Sequence, residues 1–134
     1  VRAVIDTNIL VSALLTLGGI SAQLIAAIRS RSLTPVVSEM ILAEYAEVLN
    51  RPKFSFANKL TASLLEDMKG VTLFLNSQSI PLQDLPDPDD APFIAAAITA
   101  ACPVITGNSK KNFPEELGLE ALSPSKALAC LQAK

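Results

Sequence analysis

The hydrophobic pattern of the chain begins with Val1-Arg2-Ala3-Val4-Ile5, a short run that is apolar but for Arg2 and partly β-branched. Such a run suits a strand buried on both faces of a parallel sheet. It stops at Asp6, followed by Thr7 and Asn8, short polar residues able to cap a helix or hold a carboxylate. Ile9 to Leu15 reads as a short apolar helix, broken by Gly18-Gly19. Ser21 to Arg29 carries Leu24, Ile25 and Ile28 at helical spacing. Thr34-Pro35-Val36-Val37 is a second strand, with Pro near its start where it is tolerated. Ser38 is placed to cap a helix from Glu39 to Asn50, ended by Arg51-Pro52.

Farther along, a loop holds Lys53, Phe54, Phe56 and Lys59, and Leu60 to Phe74 reads as a helix that Gly70 could interrupt. A third strand is expected at Ser79-Ile80-Pro81-Leu82. The acidic, Pro-punctuated stretch from Asp84 to Asp90 reads as a loop. Ala91 to Ala101 is apolar almost all round, which describes a buried helix. Strands are expected at Pro103 to Thr106 and Leu119 to Leu122. Ser123-Pro124 opens a last helix running to Gln132. Strands and helices alternate, and no linker or repeat divides residues 1–134. This predicts a single α/β domain: three α/β/α layers around a parallel sheet of about five strands.

Composition narrows the chemistry. The chain has 134 residues and no His. That removes Ser-His-Asp and Cys-His catalysis and any zinc site needing imidazole. Net charge is −2, so binding of a polyanion has to come from a local basic patch or a metal ion. Half the residues are hydrophobic and mean hydropathy is +0.40. So apolar a chain in so small a domain suggests burial against a second copy, and a homodimer is expected. Ala91 to Ile105, the most apolar region, is too short to span a membrane and contains Pro92 and Pro103. Asp6 interrupts the amino-terminal run, so it does not read as a signal peptide. Cys102 and Cys130 are too few for a disulfide framework and read as reduced core thiols, which points to the cytoplasm.

Carboxylates at costly positions supply the candidate site. Asp6 sits at the end of a strand expected to be central, where open α/β sheets bind ligands. In the Glu39–Asn50 helix the apolar stripe is Ile41, Tyr45 and Val48, and Glu44 falls on it, whereas Glu39 and Glu47 fall outside. In Asp87-Pro88-Asp89-Asp90 one Asp caps the next helix, but three carboxylates exceed that need. Asp90 shares a face with Phe93, Ile94 and Ala97 and is the preferred functional acid, with Asp87 and Asp89 as neighbours or substitutes. Asp6, Glu44 and Asp90, joined by Asp87, could meet at one mouth of the sheet. Like charges so placed call for a hard cation, Mg²⁺ or Mn²⁺. Such an ion activates water and stabilises in-line attack on phosphorus.

These residues carry a resemblance. Ile5-Asp6-Thr7-Asn8 with Leu10 and Ser12, Ser38 with Glu44, Arg51-Pro52-Lys53, Asp87-Pro88-Asp89-Asp90 before Phe93-Ile94-Ala95, and Val104-Ile105-Thr106-Gly107-Asn108 together resemble the PIN-domain family of VapC-type toxins and related RNases. The resemblance implies a five-stranded parallel sheet, an acidic pocket for Mg²⁺ or Mn²⁺, and endonucleolytic cleavage of single-stranded RNA. It makes Asp6, Glu44 and Asp90 the catalytic, metal-binding acids. Asn8 and Thr106 would orient ligands or waters, and Asn108 would take a fourth polar position. The corresponding branch often has Asp at that position. Asn keeps an oxygen but loses a charge, which weakens or removes a second metal site. The resemblance also implies a possible antitoxin partner that inserts a basic side chain into the mouth.

Lys110 and Lys111, and Arg51 and Lys53 with Lys59 around Phe54 and Phe56, are the candidate RNA contacts, the aromatics by stacking on bases. The reading is thus an Mg²⁺- or Mn²⁺-dependent endoribonuclease, the toxin of a toxin–antitoxin pair. The alternative is a weak or inactive PIN fold that binds RNA or protein without cutting. A phosphatase or receiver domain with Asp6 as nucleophile fits less well, because Asn8 stands where dehalogenase-type phosphatases need a second Asp.

Overall fold

The computed structural model describes residues 1–73, 90–107 and 120–132. Five parallel strands form the central sheet: β1 (Arg2–Ile5), β2 (Thr34–Ser38), β3 (Val71–Leu73), β4 (Val104–Ile105) and β5 (Ala121–Leu122). Their order is β3-β2-β1-β4-β5, so β1 is central. In register, Arg2 pairs with Thr34, Val4 with Val104, Val36 with Val71, and Ile105 with Leu122. The chain builds outward from β1 in one direction through β2 and β3, then in the other through β4 and β5. That reversal opens a crevice at the carboxyl ends of β1 and β4, where open parallel sheets bind ligands.

Helices cover both faces in the expected α/β/α arrangement. They are α1 (Thr7–Leu15), α2 (Ile20–Arg29), α3 (Glu39–Leu49), α4 (Asn58–Asp67), α5 (Ala91–Ala100) and α6 (Pro124–Gln132). Parallel strands need crossovers of this kind, and their burial on both faces explains their composition. Val4, Val36, Val37 and Val104 have no exposed surface, and Ile5 and Ile105 have 1%. Each such side chain contributes about 1.5–3 kcal/mol of burial free energy. On α5, Phe93, Ile94, Ala95, Ala96 and Ala97 are all buried, as expected for a helix apolar nearly all round. It packs on β1, β2 and β4 as well as on α3.

Three readings change. The helix read from Leu60 to Phe74 ends at Asp67, and the third strand is Val71–Leu73. Gly70 is where the chain passes close to β2. A Cβ on it would lie 2.4 Å from the Pro35 carbonyl oxygen, so only glycine permits β3 to enter beside β2. The strand expected at 79–82 lies outside the described residues. On α3 the fully buried stripe is Ile41, Tyr45 and Leu49; Val48 is only half-buried. Finally, Cys102 is half-buried and Cys130 exposed, so only the first resembles a core thiol. Burial pushes the Cys102 thiol up, against smaller opposing effects of a hydrogen bond with the Val4 backbone and of Arg2, which makes it a poor nucleophile.

Caps follow the sequence more closely. Ser38 Oγ accepts the Ile41 N–H at 3.3 Å, and Ser123 Oγ accepts the Lys126 N–H at 3.1 Å. Among the described residues no single helix is long and apolar enough to cross a membrane.

Candidate active site

Asp6 stands at the N-cap position of α1, but its side chain does not cap that helix. Its Oδ2 instead accepts the Thr106 hydroxyl at 2.6 Å, from the residue that follows β4. Its backbone N–H donates to the Ile105 carbonyl at 2.9 Å. The Asp6 backbone and its carboxylate are thus both tied to β4 and the residue after it, at the switch point of the sheet. Asp6 is 6% exposed and Thr106 fully buried. A buried carboxylate is tolerated only when hydrogen bonds or charge compensate its lost hydration, and Thr106 supplies one such bond.

Glu44 reaches the same end of β1 from α3. Its Oε2 accepts the hydroxyl of Thr7, the residue after Asp6, at 2.5 Å. Beside it, Tyr45 is fully buried and donates its hydroxyl to the Ile5 carbonyl at 2.5 Å. Burial, then the negative charges of Asp6 and Glu44, raise the Tyr45 pKa well above its ordinary value of 10.0. Both carboxylates thus act on one phenol, which stays protonated and serves as a donor. The Tyr45 ring meets Phe93 of α5, with centroids 6.2 Å apart and planes tilted by 47°. Asp90 lies one turn before Phe93, buried at the N-cap position of α5, and its side chain does not cap that helix.

Asp6 and Glu44 thus meet at the carboxyl end of β1, Glu44 through the residue after Asp6, and Asp90 stands one turn from Phe93, which packs on Tyr45. Among the described residues, no group of three or more His, Cys, Asp or Glu side chains is close enough to hold a metal ion. Asp87, Asp89, Asn108, Lys110 and Lys111 lie outside the described residues. Asn8 is exposed in the first turn of α1. Arg51 and Lys53 are exposed just beyond α3. Arg51 is engaged with Glu47, its Nε 3.1 Å from Oε1 and one terminal nitrogen 2.9 Å from Oε2.

Sequence reasoning placed Tyr45 on the apolar stripe but missed its polar role. One signal was present: it is the chain's single tyrosine, adjacent to Glu44, and a buried phenol needs an acceptor. The donor set suits a hard cation. Asp6, Glu44 and Asp90 offer only carboxylate oxygen, and the first two lie at the same end of β1. Mg²⁺ is commonly held by one or two carboxylates with its remaining positions in water.

The fold and this mouth define a doubly wound parallel α/β domain with an acidic crevice at its switch point. The chain belongs to the PIN domain family, whose model matches residues 2–110. PIN domains are a nuclease-type fold; family members commonly bind nucleic acid and typically use divalent metals. No curated protein sequence matches the chain.

Proposed function

We propose that this protein is an Mg²⁺- or Mn²⁺-dependent endoribonuclease that cuts single-stranded RNA. The observation that carries the reading is the pinning of Asp6 by Thr106 at the carboxyl end of the central strand, with Glu44 held by Thr7, the residue next to Asp6. Asp6 and Glu44, with Asp90 and Asp87 from the start of α5 and the segment before it, would hold the ion. A divalent ion at such a site neutralises phosphate charge and acidifies a water for in-line attack. The protein's own part is orientation. Thr106 fixes the Asp6 carboxylate and Thr7 fixes that of Glu44, so neither has to reorganise during the reaction. Tyr45 adds no charge to the mouth, because burial keeps it neutral.

Cleavage should leave a 3′-hydroxyl and a 5′-phosphate. The test is a labelled single-stranded RNA incubated with Mg²⁺ or Mn²⁺, with EDTA as control. Shortening by the native chain and none by Asp6→Asn supports the reading; full activity in Asp6→Asn refutes the assignment. One observation favours a second reading, binding without cleavage: Asn108 stands where a fourth acid is expected. RNA that shifts in a gel but is never shortened would establish it.

We further infer a toxin role with an antitoxin, in the cytoplasm and as a homodimer. The antitoxin would place a basic side chain in the acidic mouth. Leu15 (60% exposed), Leu17 (89%) and Ile20 (43%), at and around the turn between α1 and α2, support a partner-covered surface.

A further inference from the structure

The loop after α3 has a structure that the acidic mouth does not require. Pro52–Phe54 form a single 3₁₀ turn, and Ser55 leaves it in the left-handed region at φ 52°, ψ 33°. For a residue with a Cβ that conformation is disfavoured. Such strain persists only where the surroundings enforce it, and it concentrates at functional positions. The Ser55 hydroxyl braces the turn by donating to the Pro52 carbonyl at 3.1 Å.

The bend brings two aromatic rings onto one side of the loop. Phe54 and Phe56 stack with centroids 5.3 Å apart and planes within 7°. Phe56 packs on the hydrophobic core, which anchors the pair from below. The Lys53 ammonium sits over the Phe54 ring, 5.1 Å from its centroid. From Asn50 to Leu65 the chain carries Arg51, Lys53 and Lys59 and no acid, although its net charge is −2. All three cations are exposed.

The loop is also close to the mouth. Six steps along α3 lead from Glu44 to its C-cap Asn50, about 9 Å along a helix axis. Glu44 is near enough to help raise the Arg51 pKa, after the larger effects of Glu47. At a spacing of about 3.4 Å per nucleotide, that distance is roughly two to three nucleotides of a stacked strand.

We propose that Phe54 and Phe56, with Lys53, form a stacking platform that takes one base of a single-stranded RNA beside the acidic mouth. The base lies on Phe54, and the Lys53 ammonium moves from the ring to a neighbouring phosphate. Stacking on an aromatic face tolerates any base, so the platform contributes affinity and position rather than sequence choice. This rests on the ribonuclease reading and names how its substrate is held.

The test is fluorescence anisotropy with a short labelled single-stranded RNA of mixed sequence, in EDTA so that nothing is cut. Phe54→Ala should weaken binding about tenfold, while Phe54→Tyr, which keeps the ring, stays within about twofold of the native chain. Lys53→Gln should lower the slope of log affinity against log salt by about one. Unchanged binding in Phe54→Ala, or no RNA binding by the native chain, overturns the proposal. A parallel cleavage assay separates the two ideas. Cleavage with Phe54 irrelevant to binding removes only the platform. RNA held through Phe54 and never cut removes only the ribonuclease reading.

Discussion

Asp6 is 6% exposed and held by a threonine 100 residues away in sequence, whereas Arg51 is exposed and binds Glu47, four residues back in the last turn of α3. The two regions around them differ in the same way throughout. At the mouth, Thr7 meets Glu44 across 37 positions and Tyr45 meets Ile5 across 40. Beyond α3, the Lys53–Phe54, Phe54–Phe56 and Ser55–Pro52 contacts join residues at most three apart, while Phe56 ties the loop to the core. The mouth exists only once β1, β4 and α3 are assembled, so its polar groups are part of the fold. The basic loop is a local device attached to the end of one helix. Changes at the mouth should therefore affect chemistry and stability together, and changes at the surface should affect binding alone.

The largest effect expected is on chemistry. Partners that merely orient a metal-binding group are worth about 10–100-fold, so Asp6→Asn should reduce RNA cleavage by at least about a hundredfold. Circular dichroism should show the fold retained, because Asn preserves an acceptor for Thr106. Thr106→Val comes next. It removes the hydrogen bond to Asp6 at nearly constant volume and should lower cleavage about 10–100-fold in single-turnover assays. Activity equal to the native chain would break the link between the buried contact and the reaction.

Tyr45→Phe sharpens the comparison through stability. It leaves the buried Ile5 carbonyl without its phenol donor and should cost about 1–3 kcal/mol in urea unfolding. The pH dependence has a definite sign. The folded-state pKa of Tyr45 lies above 10.0, so the folded chain holds that proton more tightly than the unfolded chain. Its contribution is whole below about pH 10 and is lost as pH rises from there through the folded-state value. Tyr45→Phe should lack that component of alkaline destabilisation. The smallest effect belongs to the surface. Arg29→Ala removes an exposed ion pair with Asp67, 2.7 Å long, and should change stability by no more than about 1 kcal/mol. A larger loss would show that surface charge carries more of this fold than its exposure indicates.

How much of the site was legible varies by residue. Asp6 could be read because a carboxylate directly after a buried run is a local event, and Glu44 because helical counting puts it beside Ile41 and Tyr45. The Ser38 and Ser123 caps were legible for the same reason. The boundary after α4 was legible only as a possible interruption at Gly70. Leu60 to Phe74 keeps enough helical character to hide a stop, and the stop is set by the approach of Pro35 from another strand. Val48 was preferred to Leu49 because counting from Tyr45 allows both i+3 and i+4, and only the packing of α3 on its neighbours decides between them.

By itself, the sequence determined most of the strands and helices, that any acid–base chemistry must do without imidazole, and which carboxylates sit at costly positions. Those are consequences of side-chain size, periodicity and ionisation, which act over one or two turns. Only the tertiary structure decided that Thr106 grips Asp6, that Thr7 turns to Glu44, and that Tyr45 lies within the field of both acids. These contacts span tens of residues, and no local pattern encodes them. They form because burying a polar group is costly until a partner arrives, and the packing of β4 and α3 against β1 determines which partner is within reach.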